Sequence, residues 1–127
     1  MMEREIDGFV AVTALVIGAS HVLLPADWAE VYRRLAGLGR VGAFVNGGLS
    51  LAAGAAVVTG HQAWTWPGGV ITAFGWLMVV KGAVCFLAPD AALRSMESGA
   101  RSPRGFVVGG AVLVAIGAWA GYCAWIG

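Results

Sequence analysis

Four stretches of this sequence are apolar over the length of a bilayer crossing, and no other feature constrains the chain as much. The hydrocarbon layer is about 30 Å thick and an α-helix rises about 1.5 Å per residue, so a span needs roughly 20 mainly apolar residues. Gly8 to Leu24, Val41 to Gly60 and Gly105 to Ile126 carry no charge, and Gly68 to Ala88 carries only Lys81. In lipid each backbone polar group needs a partner within the protein, and a helix supplies one locally. The pattern therefore predicts an all-α, four-transmembrane-helix bundle in which the 127 residues form a single membrane domain. Only 12% of residues are charged, against about 25% in soluble domains. The net charge of +1 offers no basic field for nucleic acid. The acidic start MMEREID lacks the basic character of a signal peptide, so the first span is read as retained.

The connections set an orientation. HQAWTWP, between the second and third spans, is a tight hairpin. The other two, PADWAEVYRRLAGLGR and PDAALRSMESGARSPR, hold Arg33, Arg34, Arg40, Arg94, Arg101 and Arg104. Short basic loops favour the cytoplasm. Both connectors are thus expected inside and both termini outside, in a protein of the cytoplasmic membrane. Trp64, Trp66, Trp119, Tyr122 and Trp125 then gather at the outer interface, as an aromatic belt does. Trp28, Val31, Tyr32, Leu35 and Leu38 recur at helical spacing away from most of the charges. That predicts an inner interfacial helix carrying Trp28, Tyr32, Arg33 and Arg34.

A shift of 64 residues aligns Val16, Gly18, Ala19, Leu23, Pro25 and Arg40 with Val80, Gly82, Ala83, Leu87, Pro89 and Arg104. After a slip of one, Gly42, Val45, Gly47, Ala52 and Gly54 align with Gly105, Val108, Gly110, Ala115 and Gly117. The chain reads as two tandem helix-connector-helix repeats. With an even number of spans in each, the repeats should be parallel.

Lys81 is the leading candidate for chemistry, because a cation inside a span costs several kcal/mol and by default marks function. It lies eight residues before Pro89, about 12 Å from the inner end of its helix. His21 and Asn46 share the inner half and complete the candidate ligand or ion site. His61 reads as an interfacial residue of the hairpin. No Asp or Glu falls within the predicted spans, which argues against a proton-coupled exporter built on a membrane carboxylate. Nucleophile–base arrangements, metal-ligand spacings and phosphate loops are missing as well, so neither an enzyme nor a metal or other cofactor is expected. Cys85 and Cys123 fall towards opposite membrane faces, beyond the reach of about 7 Å that a disulfide allows.

Packing signals are denser than chemical ones. Gly105 with Gly109 and Gly117 with Gly121 form two GxxxG pairs, and Ala43, Gly47, Ser50 and Gly54 give the second span a similar small-residue face. Such faces let backbones approach closely. The two repeat-equivalent helices are expected to pack on each other or to form the interface of a homo-oligomer.

The strings SHVLLPADW…YRRL, GHQAWTWPGGVITAFGWLMVVKG and FLAPDAALRSM resemble a group of small bacterial four-helix membrane proteins without an assigned activity. The resemblance covers most of the chain and implies no mechanism. A weaker likeness, through Arg40, Gly42 and Asn46, is to the small dimeric fluoride channels. The chain departs from them in having PGGVITAFG where they carry a Thr-Thr-Phe-Ser stretch. Two functions follow as expectations. The first is a small channel or transporter for a small solute, an anion by the charge of Lys81, with its polar site in the inner half. The second is a non-catalytic module that binds lipid or a partner membrane protein through its small-residue faces.

Overall fold

The computed structural model describes residues 2–126. Six helices follow one another: α1 (Met2–Leu23), α2 (Pro25–Gly37), α3 (Arg40–Gly60), α4 (Gly69–Leu87), α5 (Pro89–Ala100) and α6 (Arg104–Trp125). Of these, α1, α3, α4 and α6 are long and apolar enough to cross a membrane, which makes the chain a membrane protein built as an all-α bundle. Their ends fall within one residue of the expected spans, with one exception. Helix α1 begins at Met2 rather than Gly8, so Asp7 lies inside a span. The expectation of spans free of carboxylates is corrected here: Asp7 is buried against His61 of the α3–α4 hairpin, a tertiary contact that a hydropathy ruler does not register.

Both short helices begin on proline, Pro25 and Pro89, where the missing N–H would have had no intrahelical partner. Between α2 and α3 the chain reverses at Gly39, whose φ of +68° is readily adopted only by glycine. Gly42 follows where a Cβ would lie 1.6 Å from the Leu35 carbonyl oxygen. Helix α3 therefore starts hard against the last turn of α2. Helices α2 and α5 pack on each other and, with Arg40 paired to Asp90 at 3.1 Å, form a basic end. The α3–α4 hairpin, the start of α1 and the end of α6 form the opposite, hairpin end.

The long helices pair as α1 with α6 and α3 with α4. At Gly18 a Cβ would stand 2.7 Å from the Gly110 oxygen, and at Gly110 one would stand 2.6 Å from the Gly18 oxygen. The second pair crosses in the same way. A Cβ on Gly82 would be 2.9 Å from the Gly47 oxygen, and one on Gly47 would be 3.2 Å from the Gly82 oxygen. Further along, Gly117 lies against the Leu15 nitrogen and the Ala11 oxygen, as Gly54 lies against the Val79 nitrogen and the Gly75 oxygen. Gly47, Gly54 and Gly117 thus serve close packing, with Ala43 and Ser50 buried beside them. The partners are α4 and α1, since Gly18, Gly75 and Gly82 offer complementary hollows, and α3 and α6 are not each other's main contact. Gly121 packs near Ala11 and Trp125, whereas a Cβ on Gly105 or Gly109 would meet nothing within 4 Å.

The core follows from this pairing. Val10, Ala11, Ala14, Val57, Ile71 and Ala120 are buried in one cluster towards the hairpin end; Ala43, Cys85 and Ala92 form another towards the basic end. At the hairpin end Trp119 donates to the Pro67 carbonyl at 3.0 Å and lies between Trp66 and Tyr122, which ties the aromatic belt to the loop.

Candidate functional site

Lys81 leaves α4 on the side that faces the basic end. Its ammonium donates to the Tyr32 hydroxyl at 3.4 Å and lies 6.0 Å from the centre of that ring, at the outer limit of a cation–π contact. Tyr32 is fixed in turn by an edge-on contact with Phe106, their centroids 5.0 Å apart. Trp28, one turn earlier on α2, donates to the Ser20 hydroxyl at 2.9 Å and stacks on His21 at 4.0 Å. Trp28 and Tyr32 therefore point into the bundle. Arg33 and Arg34 stay exposed on Glu30, where the Arg34 hydrogen bond, followed by the charge of Arg33, holds the carboxyl below the usual glutamate range.

Two clefts meet at Lys81. The larger, of about 460 Å³, runs between α4 and α6 and brings His21, Tyr32 and Lys81 together at one end, with Phe74, Leu77 and Val112 among its walls. Gly105 and Gly109 lie in it as well, and neither fills it with a side chain. His21 Nδ1 is 2.7 Å from the Ile17 carbonyl oxygen. A carbonyl only accepts, so Nδ1 carries a hydrogen and Nε2 is the atom left for a ligand. The smaller cleft, of about 210 Å³, joins Lys81 to the buried Asn46, with Tyr32, Cys85 and Ser95. The structure thus places His21 beside one cleft and Asn46 beside the other, with Lys81 common to both. Among the described residues no Asp or Glu lines either one.

A second polar site stands at the hairpin end, where no ligand site was expected. His61 is 1% and Asp7 6% exposed, and Thr72 is fully buried. The His61 Nε2 stands 3.0 Å from Asp7 Oδ1, an ion-pair distance, although the N–H is not aligned on that oxygen as in a hydrogen bond. On the other side of the ring, Nδ1 is 2.6 Å from the Thr72 hydroxyl. That hydroxyl donates to the Ala63 carbonyl at 2.6 Å. The only sequence signal for this site was a histidine in the hairpin and an acid just ahead of the first span; their meeting depends on the tertiary fold. Between the two polar ends lies a cavity of about 180 Å³ walled by Phe9, Val57, Phe74, Met78 and Leu113 among others, with almost no polar surface.

Cys85 is buried and Cys123 half-buried, and both are free thiols. Among the described residues no cluster of three or more His, Cys, Asp or Glu side chains could hold a metal ion. Comparison with protein-family models, with curated proteins and with solved structures found no match. The fold and the two sites carry the functional reading by themselves.

Proposed function

We propose that the protein binds an anionic amphiphile in the α4–α6 cleft, with Lys81, Tyr32 and His21 holding the head group and the apolar walls holding the chain. One observation carries this reading: Lys81 is a cation within a span, and among the described residues neither cleft beside it contains a carboxylate. An uncompensated charge at that depth is costly, and an anion from outside the chain would offset it. Tyr32 and the free Nε2 of His21 add a hydroxyl and a ring nitrogen at the same end of the cleft. A chain lying along Phe74, Leu77 and Val112 would be in an apolar surround continuous with lipid.

An internal duplication in the 64-residue register would fit this assignment. In the 64-residue register Lys81 corresponds to Ile17, His21 to Cys85 and Tyr32 to Met96. The polar set therefore occupies one of two related seams, as specialisation after duplication would leave it. The matched glycine crossings are what a parallel repeat would produce. We place the basic end in the cytoplasm by the charge of its connectors, so that the amphiphile comes from the inner leaflet. A hydrated channel within one chain has less support, because the central cavity is apolar. The homo-oligomer reading would use the open Gly105–Gly109 face, which the present reading gives to the ligand.

A spin-labelled fatty acid added to the protein in nanodiscs tests the reading. An immobilised spectral component that is lost in Lys81→Met, and lost in Gly109→Leu, is expected. Equal immobilisation in all three proteins would sink the proposal. A Lys81 ammonium that merely reaches the head-group layer would give that result.

A further inference from the structure

The hairpin end holds a buried ionisable pair that the amphiphile site does not use, and its hydrogen-bond accounting is nearly closed. Thr72 Oγ1 lies 2.6 Å from both the Ala63 oxygen and His61 Nδ1. The carbonyl has no hydrogen to give, so the hydroxyl proton belongs on that bond and Nδ1 must itself carry a hydrogen. This fixes the ring orientation and turns Nε2 towards Asp7. One proton then suffices for the facing atoms. It sits on Nε2 as an imidazolium beside a carboxylate, or on Oδ1 as a carboxylic acid beside a neutral ring. The pair is electrically neutral in both forms, which burial favours.

The pair is not sealed. A cleft of about 230 Å³ opens onto it, lined by Glu3, Asp7, His61, Trp66 and Cys123 among others. The groups around it come from every neighbouring element. Glu3 lies one turn before Asp7 on α1. Arg4 is turned away to cap α6 through the Ala124 carbonyl. Cys123 comes from α6, Thr72 from α4 and Thr65 from the hairpin. Asp7 Oδ1 is buried without an aligned donor, so a hydrogen-bonding position on that oxygen is free to take a proton.

The geometry points to Asp7 and His61, oriented by Thr72, as a proton-binding site that exchanges one proton with water at the hairpin end. Release of that proton to water leaves a neutral imidazole beside a carboxylate, with a net charge of −1, and uptake restores the neutral pair. The site supplies what the spans were expected to lack, a membrane carboxylate with a proton partner. It stands independently of the amphiphile reading.

The test uses the full chain in nanodiscs with His21→Gln, which leaves His61 as the single imidazole, and with isotope-labelled ring nitrogens followed by NMR from mildly acid to mildly alkaline pH. We expect Nδ1 to stay protonated throughout and the Nε2 signal to move with pH. In Asp7→Asn, which keeps a hydrogen-bonding group of the same shape, the ring should stay neutral and the movement should stop. A ring signal that does not respond to pH would show a sealed structural clasp, and one that responds identically in Asp7→Asn would show that no pair holds the proton. Each overturns the proposal. If Asp7→Asn does not fold, the chain carrying His21→Gln alone decides it: movement of the Nε2 signal supports the site and its absence overturns it.

Discussion

Asp7 and His61 face each other across 3.0 Å at the hairpin end, joining the first helix to the loop between the third and fourth. Breaking such a buried pair leaves a polar or charged group without its partner, at a cost of about 1–3 kcal/mol for a neutral group and about 3–5 kcal/mol for a charge. Asp7→Ala and His61→Ala should each destabilise the protein to that extent, and Asp7→Asn should cost distinctly less. Unfolding in mixed micelles measures the difference. Equal, small losses in all three variants would mean that the pair does not hold the hairpin to α1.

The glycines fall into two classes that mutation should separate. Gly110→Leu and Gly82→Leu force side chains into the facing backbone and should cost about 1–3 kcal/mol or more, as overpacking does. Gly109→Leu extends into open space and should leave stability unchanged within about 0.5 kcal/mol. A thermal series in detergent distinguishes them. Gly109→Leu as damaging as Gly110→Leu would contradict the pairing of α6 with α1.

Lys81→Met removes the charge and keeps much of the stem. It should leave the helical content and the α3–α4 packing intact, and should raise stability slightly, because an uncompensated cation leaves the span. Circular dichroism and the unfolding midpoint check both statements. A marked loss of stability would mean that the ammonium has a structural role in the bundle.

At the basic end, Glu30 is held below its ordinary range by Arg34 and Arg33. A carboxyl with a depressed folded-state pKa stabilises above its unfolded value and loses that contribution as pH falls through the folded one. The midpoint of wild type should therefore decline below the ordinary glutamate range, about pH 4.3, and Glu30→Gln should remove that part of the decline. The effect is small because the ion pairs are exposed, and salt should weaken it.

How much of this was legible beforehand depended on whether a feature is local. The four spans could be read from the sequence, because hydropathy and length act residue by residue. Trp28 and Tyr32 stood out through their spacing, although the helix turns them inward onto His21 and Phe106 rather than onto the membrane surface. Gly47, Gly54 and Gly117 could be recognised as packing residues. Their partners could not, because the hollows at Gly18, Gly75 and Gly82 matter only once helices are paired. Asp7 was missed for a related reason: an acid just ahead of an apolar run looks solvent-exposed until His61 of the hairpin packs against it. Lys81 was visible as a cation within a span, but its two clefts are completed by α1, α2, α3, α5 and α6 and have no signature along the chain.

The most direct measurement of the central claim is an experimental structure of the protein in lipid doped with a fatty acid. The account predicts elongated density along the α4–α6 cleft, with its head within hydrogen-bonding distance of Lys81 Nζ and near Tyr32 and His21. A closed cleft, with the ammonium extended to the surface of the basic end and no bound head group, would contradict it.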